Sequence, residues 1–194
     1  LSTRASPKQP SETSLREAAL RHLARYAATE ARLLRVLERR IERWRRAAQA
    51  TDPEDETIAA SVTAARQAAR RVVASLAASR VVDDAAYAET RARALLRAGR
   101  SRAVVGRRLA QSGIGAEILR TALDVDPAHD LAAALLLARR RRLGGFADHA
   151  PDPAIRQREL GILARAGFSH DVAQAALTTT EADGERQIAE WRRK

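Results

Sequence analysis

Residues 109–123 read LAQSGIGAEILRTAL, and residues 163–177 read LARAGFSHDVAQAAL. The two stretches align without a gap. Leu109 falls on Leu163, Gly113 on Gly167 and Leu123 on Leu177, while Ile114 and Ile118 match Phe168 and Val172 in kind. Each is an apolar helical stripe, a glycine at the stop, and a second stripe. Glycine suits the stop because it enters the left-handed region without steric cost. Ser101 stands ahead of the first stretch as an N-cap for the helix carrying Val104, Val105 and Leu109. Further upstream, Leu23 to Leu37 brackets Thr29 as Leu95 to Leu109 brackets Ser101. The unit is therefore a helix, a capped helix, a turn and a further helix. The first copy lacks the turn glycine and carries a polar insertion near 46–56.

The remaining sequence is helical in pattern. Leu15, Ala19, Leu23 and Tyr26 recur on one face, then Leu33, Leu37, Ile41 and Trp44. Three Asp-Pro pairs, at 52–53, 126–127 and 152–153, read as helix starts. Ile58, Val62, Ala65, Ala69, Val72 and Leu76 form the stripe after the first pair. Asp83-Asp84 opens another helix, with Tyr87, Ala88, Ala92 and Leu95 facing inward, and Gly99 stops it. Gly144-Gly145 is the expected stop after the second Asp-Pro start. No strand pattern stands out. The expectation is an all-α fold of three tandem three-helix repeats in an elongated, curved arrangement. Residues 1–13 are expected to be a disordered lead-in, 14–82 the first repeat, 83–125 the second and 126–180 the third. Residues 181–194 form a polar C-terminal tail, which Ile188 and Trp191 could dock.

Composition narrows the function. The chain has 194 residues with no Cys and no Met, which excludes disulfides, Cys-ligated zinc, iron–sulfur clusters and a thiol nucleophile. No apolar run approaches the roughly 20 residues of a membrane span. Leu1–Pro10 lacks the apolar core of a signal peptide, so a cytoplasmic protein is expected. The 44 Ala and only six aromatics call for thin, closely packed helices over a deep ligand cavity.

Lys+Arg is 35 against 24 for Asp+Glu, a formal net charge of +11, and 33 of those bases are Arg. Residues 1–50 alone hold 12 bases and five acids. That surplus favours an anionic partner. The arginines cluster in three places: Arg39, Arg40, Arg43, Arg45 and Arg46; Arg97, Arg100, Arg102, Arg107 and Arg108; and the run Arg139, Arg140, Arg141 and Arg142. The last run sits at a helix C-terminus, where the dipole alone favours cations, so half of it is accounted for by end-capping. Guanidinium forks suit phosphates and carboxylates. With few aromatics to stack bases, contacts to the phosphate backbone, independent of sequence, are the better reading.

Catalytic signatures are missing from the sequence. Asp83-Asp84 at a helix entry caps backbone N–H groups more readily than it binds a metal. His22, His129, His149 and His170 are scattered, and none forms a ligand motif. No phosphate-binding glycine loop occurs. The expectation is no catalytic, cofactor-binding or metal-binding residue, and no cofactor.

The segment VVDDAAYAETRARALLRAGRSRAVVGRRLAQSGIGAEILRTAL, residues 81–123, resembles the core of the RecX family, bacterial regulators of RecA recombinase. The matching pattern is Asp83-Asp84, Tyr87-Ala88, the basic stretch Arg97–Arg108, Leu109 and Gly113-Ile114. ILARAGFSHDVAQAAL, with Gly167-Phe168, resembles the family's closing repeat. Together the resemblance spans roughly residues 15–180. Tyr87 stands where Phe is usual, Ser101 follows Arg100 where the family often has Gly, and the insertion after Trp44 is extra. The resemblance implies a monomeric regulator that binds the RecA–DNA filament and most often lowers recombinase, ATPase and coprotease activity in recombination and SOS repair. The alternatives are a stand-alone helix-turn-helix-like DNA-binding protein and a scaffold binding other helices through Ala-rich faces.

Overall fold

A computed structural model describes residues 7–52, 56–124, 126, 128–148, 150 and 152–193. It contains ten helices among those residues: α1 (Glu12–Leu23), α2 (Glu30–Thr51), α3 (Thr57–Ala78), α4 (Asp84–Arg97), α5 (Arg102–Gln111), α6 (Ala116–Ala122), α7 (Ala128–Arg141), α8 (Pro153–Arg165), α9 (His170–Thr178) and α10 (Glu181–Arg193). The only β feature among the described residues is an isolated bridge between Gly145 and Thr180. The fold is all-α.

The chain divides into two compact units. The first holds the residues up to Tyr87 together with Ser112–Ile114. Its core joins Leu15 and Ala19 of α1, Leu33, Leu37 and Ile41 of α2, and Val62, Ala69, Val72 and Leu76 of α3. Leucines at four-residue steps on α2 meet alanines and valines on α3, so the two helices pack closely along their length. Each has 22 residues, about 33 Å. The expected insertion is taken up largely as extra turns of α2. Asp52 ends α2, Pro53 lies outside the described residues, and α3 begins at Thr57. At the other end, α1 starts at Glu12 with Ser11 as its cap, inside the stretch expected to be lead-in. Pro10 is buried, and the Trp44 indole N–H donates to the Pro7 carbonyl at 2.9 Å. Residues 1–6 of that stretch lie outside the described residues.

The second unit holds Ala88–Gln111 and Gly115 onward. Leu135, Ala138, Leu143 and Phe146 from α7 and its exit meet Leu163, Phe168, Ala176, Leu177 and Ile188. The polar tail is helix α10, anchored by Ile188 and by the Trp191 indole N–H, which donates to His129 Nδ1 at 3.2 Å. His129 Nε2 lies 3.2 Å from the Arg100 carbonyl. An indole only donates and a carbonyl only accepts, so these partners assign the neutral Nε2–H tautomer.

One capping device occurs in both units. Thr29 caps α2: its hydroxyl accepts from Arg32 N at 3.1 Å and donates to the Ser112 carbonyl at 2.6 Å. Ser101 does the same for α5, accepting from Val104 N at 3.3 Å and donating to the Ala166 carbonyl at 2.9 Å. Each bonded carbonyl belongs to the residue before a turn glycine. A carboxylate from a later helix completes each cap. Asp84 Oδ1 accepts from Glu30 N and Asp130 Oδ1 from Arg102 N, both at 2.9 Å. Negative charge at a helix N-terminus is favourable there.

The turn glycines are held by conformation and by space. Gly113 has φ 93° and Gly167 φ 85°. A β-carbon on Gly113 would lie 2.2 Å from that of Ala31, and one on Gly167 2.7 Å from Ser101 Oγ. The expected stop at Gly144-Gly145 is different in kind. Arg142, with φ 51°, is the left-handed residue ending α7, and Leu143 N bonds back to the Ala138 carbonyl at 2.9 Å. Gly144 is left-handed as well, with φ 56°, and the glycine pair lets the chain pass close to Leu177 and Thr179, whose carbonyls would lie 2.5 and 2.1 Å from added β-carbons.

Candidate nucleic-acid interface

The acidic pair is accounted for by capping. Asp83 Oδ1 accepts from Ala86 N at 2.8 Å and caps its own helix, while Asp84 caps α2. No cluster of three His, Cys, Asp or Glu able to hold a metal occurs among the described residues. His149 lies outside them. No helix among them is long and apolar enough to cross a membrane.

A groove of about 580 Å³ runs between the start of α8, Gly144-Gly145 and Leu177–Thr180. Its charged groups are already engaged in the fold. Asp152 caps α8, Arg156 donates to the Leu177 carbonyl at 2.8 Å, and Glu159 accepts from Gly144 N at 2.9 Å.

The structure sorts the fourteen candidate arginines by what they touch. On α2, Arg45 and Arg46 share Glu42, at 2.5 and 3.0 Å. Hydrogen bonds from Arg45 and then Arg46 hold the Glu42 carboxyl down at about 2, against an ordinary 4.5. Arg39, Arg40 and Arg43 are exposed and have no ion-pair partner among the described residues. At 100° per residue Arg39 leaves α2 opposite Leu33, Leu37 and Ile41, while Arg43 and Arg40 lie progressively nearer the flank of that stripe. Arg40 and Arg43 line a shallow cleft with Trp44 and the Pro7–Ser11 segment.

In the second unit Arg102 is structural: its Nε bonds Asp130 at 3.2 Å, beside the capping bond from its backbone. Arg108 has a partner within the chain. Arg97, Arg100 and Arg107 are exposed, without an ion pair among the described residues. The run at the end of α7 divides in half. Arg139 pairs with Glu185 at 2.7 Å and Arg142 with Asp148 at 2.5 Å. Arg140 and Arg141 are exposed without an ion pair among the described residues.

A further cationic site escapes the sequence reading. Arg32 and Arg35 precede Arg39 on one face of α2 and line a second cleft with it, beside His22 and Tyr26. Tyr26 is not on the apolar face where spacing puts it. The helix ends at Leu23, so the three-residue step from Leu23 no longer applies, and the phenol is 62% exposed. The missed signal was Arg32, Arg35 and Arg39 at helical steps directly after the Thr29 cap.

No family model matches the chain. It is 35% identical over 180 residues to the regulatory protein RecX of Myxococcus xanthus (strain DK1622), covering 91% of this chain and 90% of that one. The regulatory protein RecX of Agrobacterium fabrum (strain C58 / ATCC 33970) is 34% identical over 106 residues, 54% of this chain and 56% of the other. The crystal structure of RecX from Lactobacillus salivarius superposes with a TM-score of 0.57 over 86% of this chain and 94% of that one. At 17% identity that match shows a shared fold. The Myxococcus alignment runs along nearly the whole of both proteins, and on that ground the chain belongs to the RecX family of regulatory proteins.

Proposed function

We propose that this chain binds the filament formed by RecA on DNA, in the cytoplasm, and lowers its recombinase, ATPase and coprotease activity. The observation that carries the reading is the set of guanidinium groups turned away from both cores. Arg39, Arg40, Arg43, Arg97, Arg100, Arg107, Arg140 and Arg141 are all exposed and lack an ion pair among the described residues. Membership of a family of regulatory proteins supports it. Such groups neutralise DNA phosphates with release of counterions, and pair equally with carboxylates on a protein surface. A monomer built from three tandem units would reach several protomers, so that weak contacts add. The mechanism is obstruction of incoming duplex or of filament growth, and it calls for no catalytic step or cofactor.

A stand-alone helix-turn-helix protein fits less well. Helix α6, which follows the α5 turn, begins Ala116-Glu117, and Arg120 pairs with that Glu117 at 2.7 Å. An acid in the first turn faces phosphates poorly, and the base is already engaged.

The test is ATP hydrolysis by the cognate RecA on single-stranded DNA, titrated with this chain at low and at physiological salt. Inhibition is expected well below one chain per RecA protomer, weaker at the higher salt. Reversing charge at Arg140 and Arg141 together should raise the half-inhibiting concentration by roughly tenfold with helix content unchanged. Absence of inhibition at every ratio would overturn the reading.

A further inference from the structure

The cleft beside α2 joins two kinds of group that neither core uses. His22 lies in the last turn of α1, Tyr26 in the connection to α2, and Arg32, Arg35 and Arg39 follow along α2 itself. The cleft has a volume of about 400 Å³, and no Asp or Glu among the described residues lines it. The His22 and Tyr26 rings lie 5.3 Å apart and tilted by 39°, so the imidazole helps to orient the phenol. Tyr26 is nevertheless 62% exposed, the most open of the exposed large apolar side chains among the described residues. The greater part of its surface is open to solvent. Arg32 donates to the Tyr87 hydroxyl at 3.4 Å, and Arg35 Nε to the Ala31 carbonyl at 3.2 Å. Those bonds hold two guanidiniums near the helix, while Arg39 has no partner among the described residues. From Arg32 to Arg39 the helix rises about 10 Å, the length of about three nucleotides at the ~3.4 Å axial rise of a stacked strand.

We propose that this cleft binds single-stranded nucleic acid, with an unstacked base against Tyr26 and the flanking phosphates on Arg32, Arg35 and Arg39. A duplex offers the phosphates but keeps its base faces stacked inside. An acidic peptide offers charge but leaves the ring face unused. A nucleotide in a single strand supplies the planar face and the anion together. The inference rests on the chain contacting nucleic acid, as proposed above, but not on any effect on RecA. It adds a stacking contact to the phosphate contacts that the arginine faces alone would make.

The test uses the full chain without RecA. Fluorescence anisotropy follows binding to a labelled thymidine oligonucleotide, to an abasic oligonucleotide of the same length, and to a duplex. The thymidine strand should bind roughly tenfold more tightly than the abasic one, the scale of one stacked base. Tyr26→Leu should erase that difference and Tyr26→Phe should keep it, with unchanged circular dichroism. Should Tyr26→Leu fail to fold, Arg39→Ala serves: it should weaken both strands and reduce the salt slope by about 0.7. Equal affinity for thymidine and abasic strands, or a Tyr26→Leu variant that binds like wild type, would overturn the proposal. So would tighter binding to the duplex, or no binding to any oligonucleotide. Inhibition of RecA is read separately in the ATPase titration, so either reading can fail without the other. Repeating the measurement with uridine in place of thymidine separates RNA from DNA as the preferred strand, and a loss of discrimination in Tyr26→Leu on whichever strand binds supports the same cleft.

Discussion

Thr29 is fully buried, and its hydroxyl makes two bonds, one local and one to a residue 83 positions away. The local bond was legible, because Thr ahead of an apolar helical pattern is an N-cap. The distant bond was not, since nothing in the spacing of residues 23–37 names Ser112. Thr29→Val keeps the volume and strands a buried carbonyl and an N–H. It should destabilise the chain by about 2 kcal/mol, measured by urea unfolding, whereas Ser11→Ala at the exposed α1 cap should cost nearer 1 kcal/mol. Glu42 is the residue with a pH signature. Its hydrogen bonds to Arg45 and Arg46 lower its pKa from 4.5 to about 2. The stabilisation is therefore complete above pH 4.5 and is lost as pH falls toward about 2. A carboxyl NMR titration should show that depressed midpoint, and Glu42→Gln should remove this part of the acid sensitivity. A midpoint near the ordinary value would contradict the pairing.

Among the elements, the two turn glycines behave unlike Gly161 inside a helix. Gly113 combines a positive φ with a β-carbon position 2.2 Å from Ala31. Gly113→Ala should therefore cost at least about 2 kcal/mol, left-handed strain adding to overpacking. Gly161 lies within α8, where an added β-carbon meets only the flexible end of Arg165 at 3.4 Å. Gly161→Ala should stabilise by about 0.5–1 kcal/mol. Thermal melts of the two variants should move in opposite directions. Helix starts and stops were readable wherever one residue sufficed, as at Asp152-Pro153 and Gly167. They were read only in part where two residues share the stop. Arg142 takes a left-handed conformation at the end of α7, two residues ahead of Gly144, which is left-handed as expected, and the glycine pair serves in addition for close approach to Leu177 and Thr179. The lengths of α2 and α3 were also hidden, since a polar stretch with helix-forming residues extends a helix as readily as it ends one.

For the whole molecule the governing quantity is charge. The net +11 is carried by arginines, and only part of that charge is neutralised within the fold. Binding to duplex DNA of arbitrary sequence should therefore fall linearly in log affinity with log salt, by about 0.9 per phosphate contacted. Arg40→Ala with Arg43→Ala should flatten that slope by about two, if both meet phosphate, and leave sequence preference unchanged. A slope unchanged in the double variant would remove the α2 face from the interface. The three-unit organisation remains our proposal at this scale. The hydroxyl, glycine and carboxylate that recur between Thr29, Gly113 and Asp84, and between Ser101, Gly167 and Asp130, support it.

The sequence by itself determined the fold class, most helix positions, the apolar stripes and the basic character, because these depend on period, local capping and composition. Family resemblance was legible for the same reason: the order of caps, glycines and stripes lies in a single stretch. The tertiary structure alone decided which arginines are engaged. Arg102 and Arg139 read like Arg100 and Arg140 in sequence, but among the described residues a carboxylate from another helix reaches only Arg102 and Arg139. It also decided that Tyr26 faces outward beside three arginines, since that depends on where α1 ends and which way the chain then turns. Periodicity describes one helix at a time, and an interface is made by residues from several.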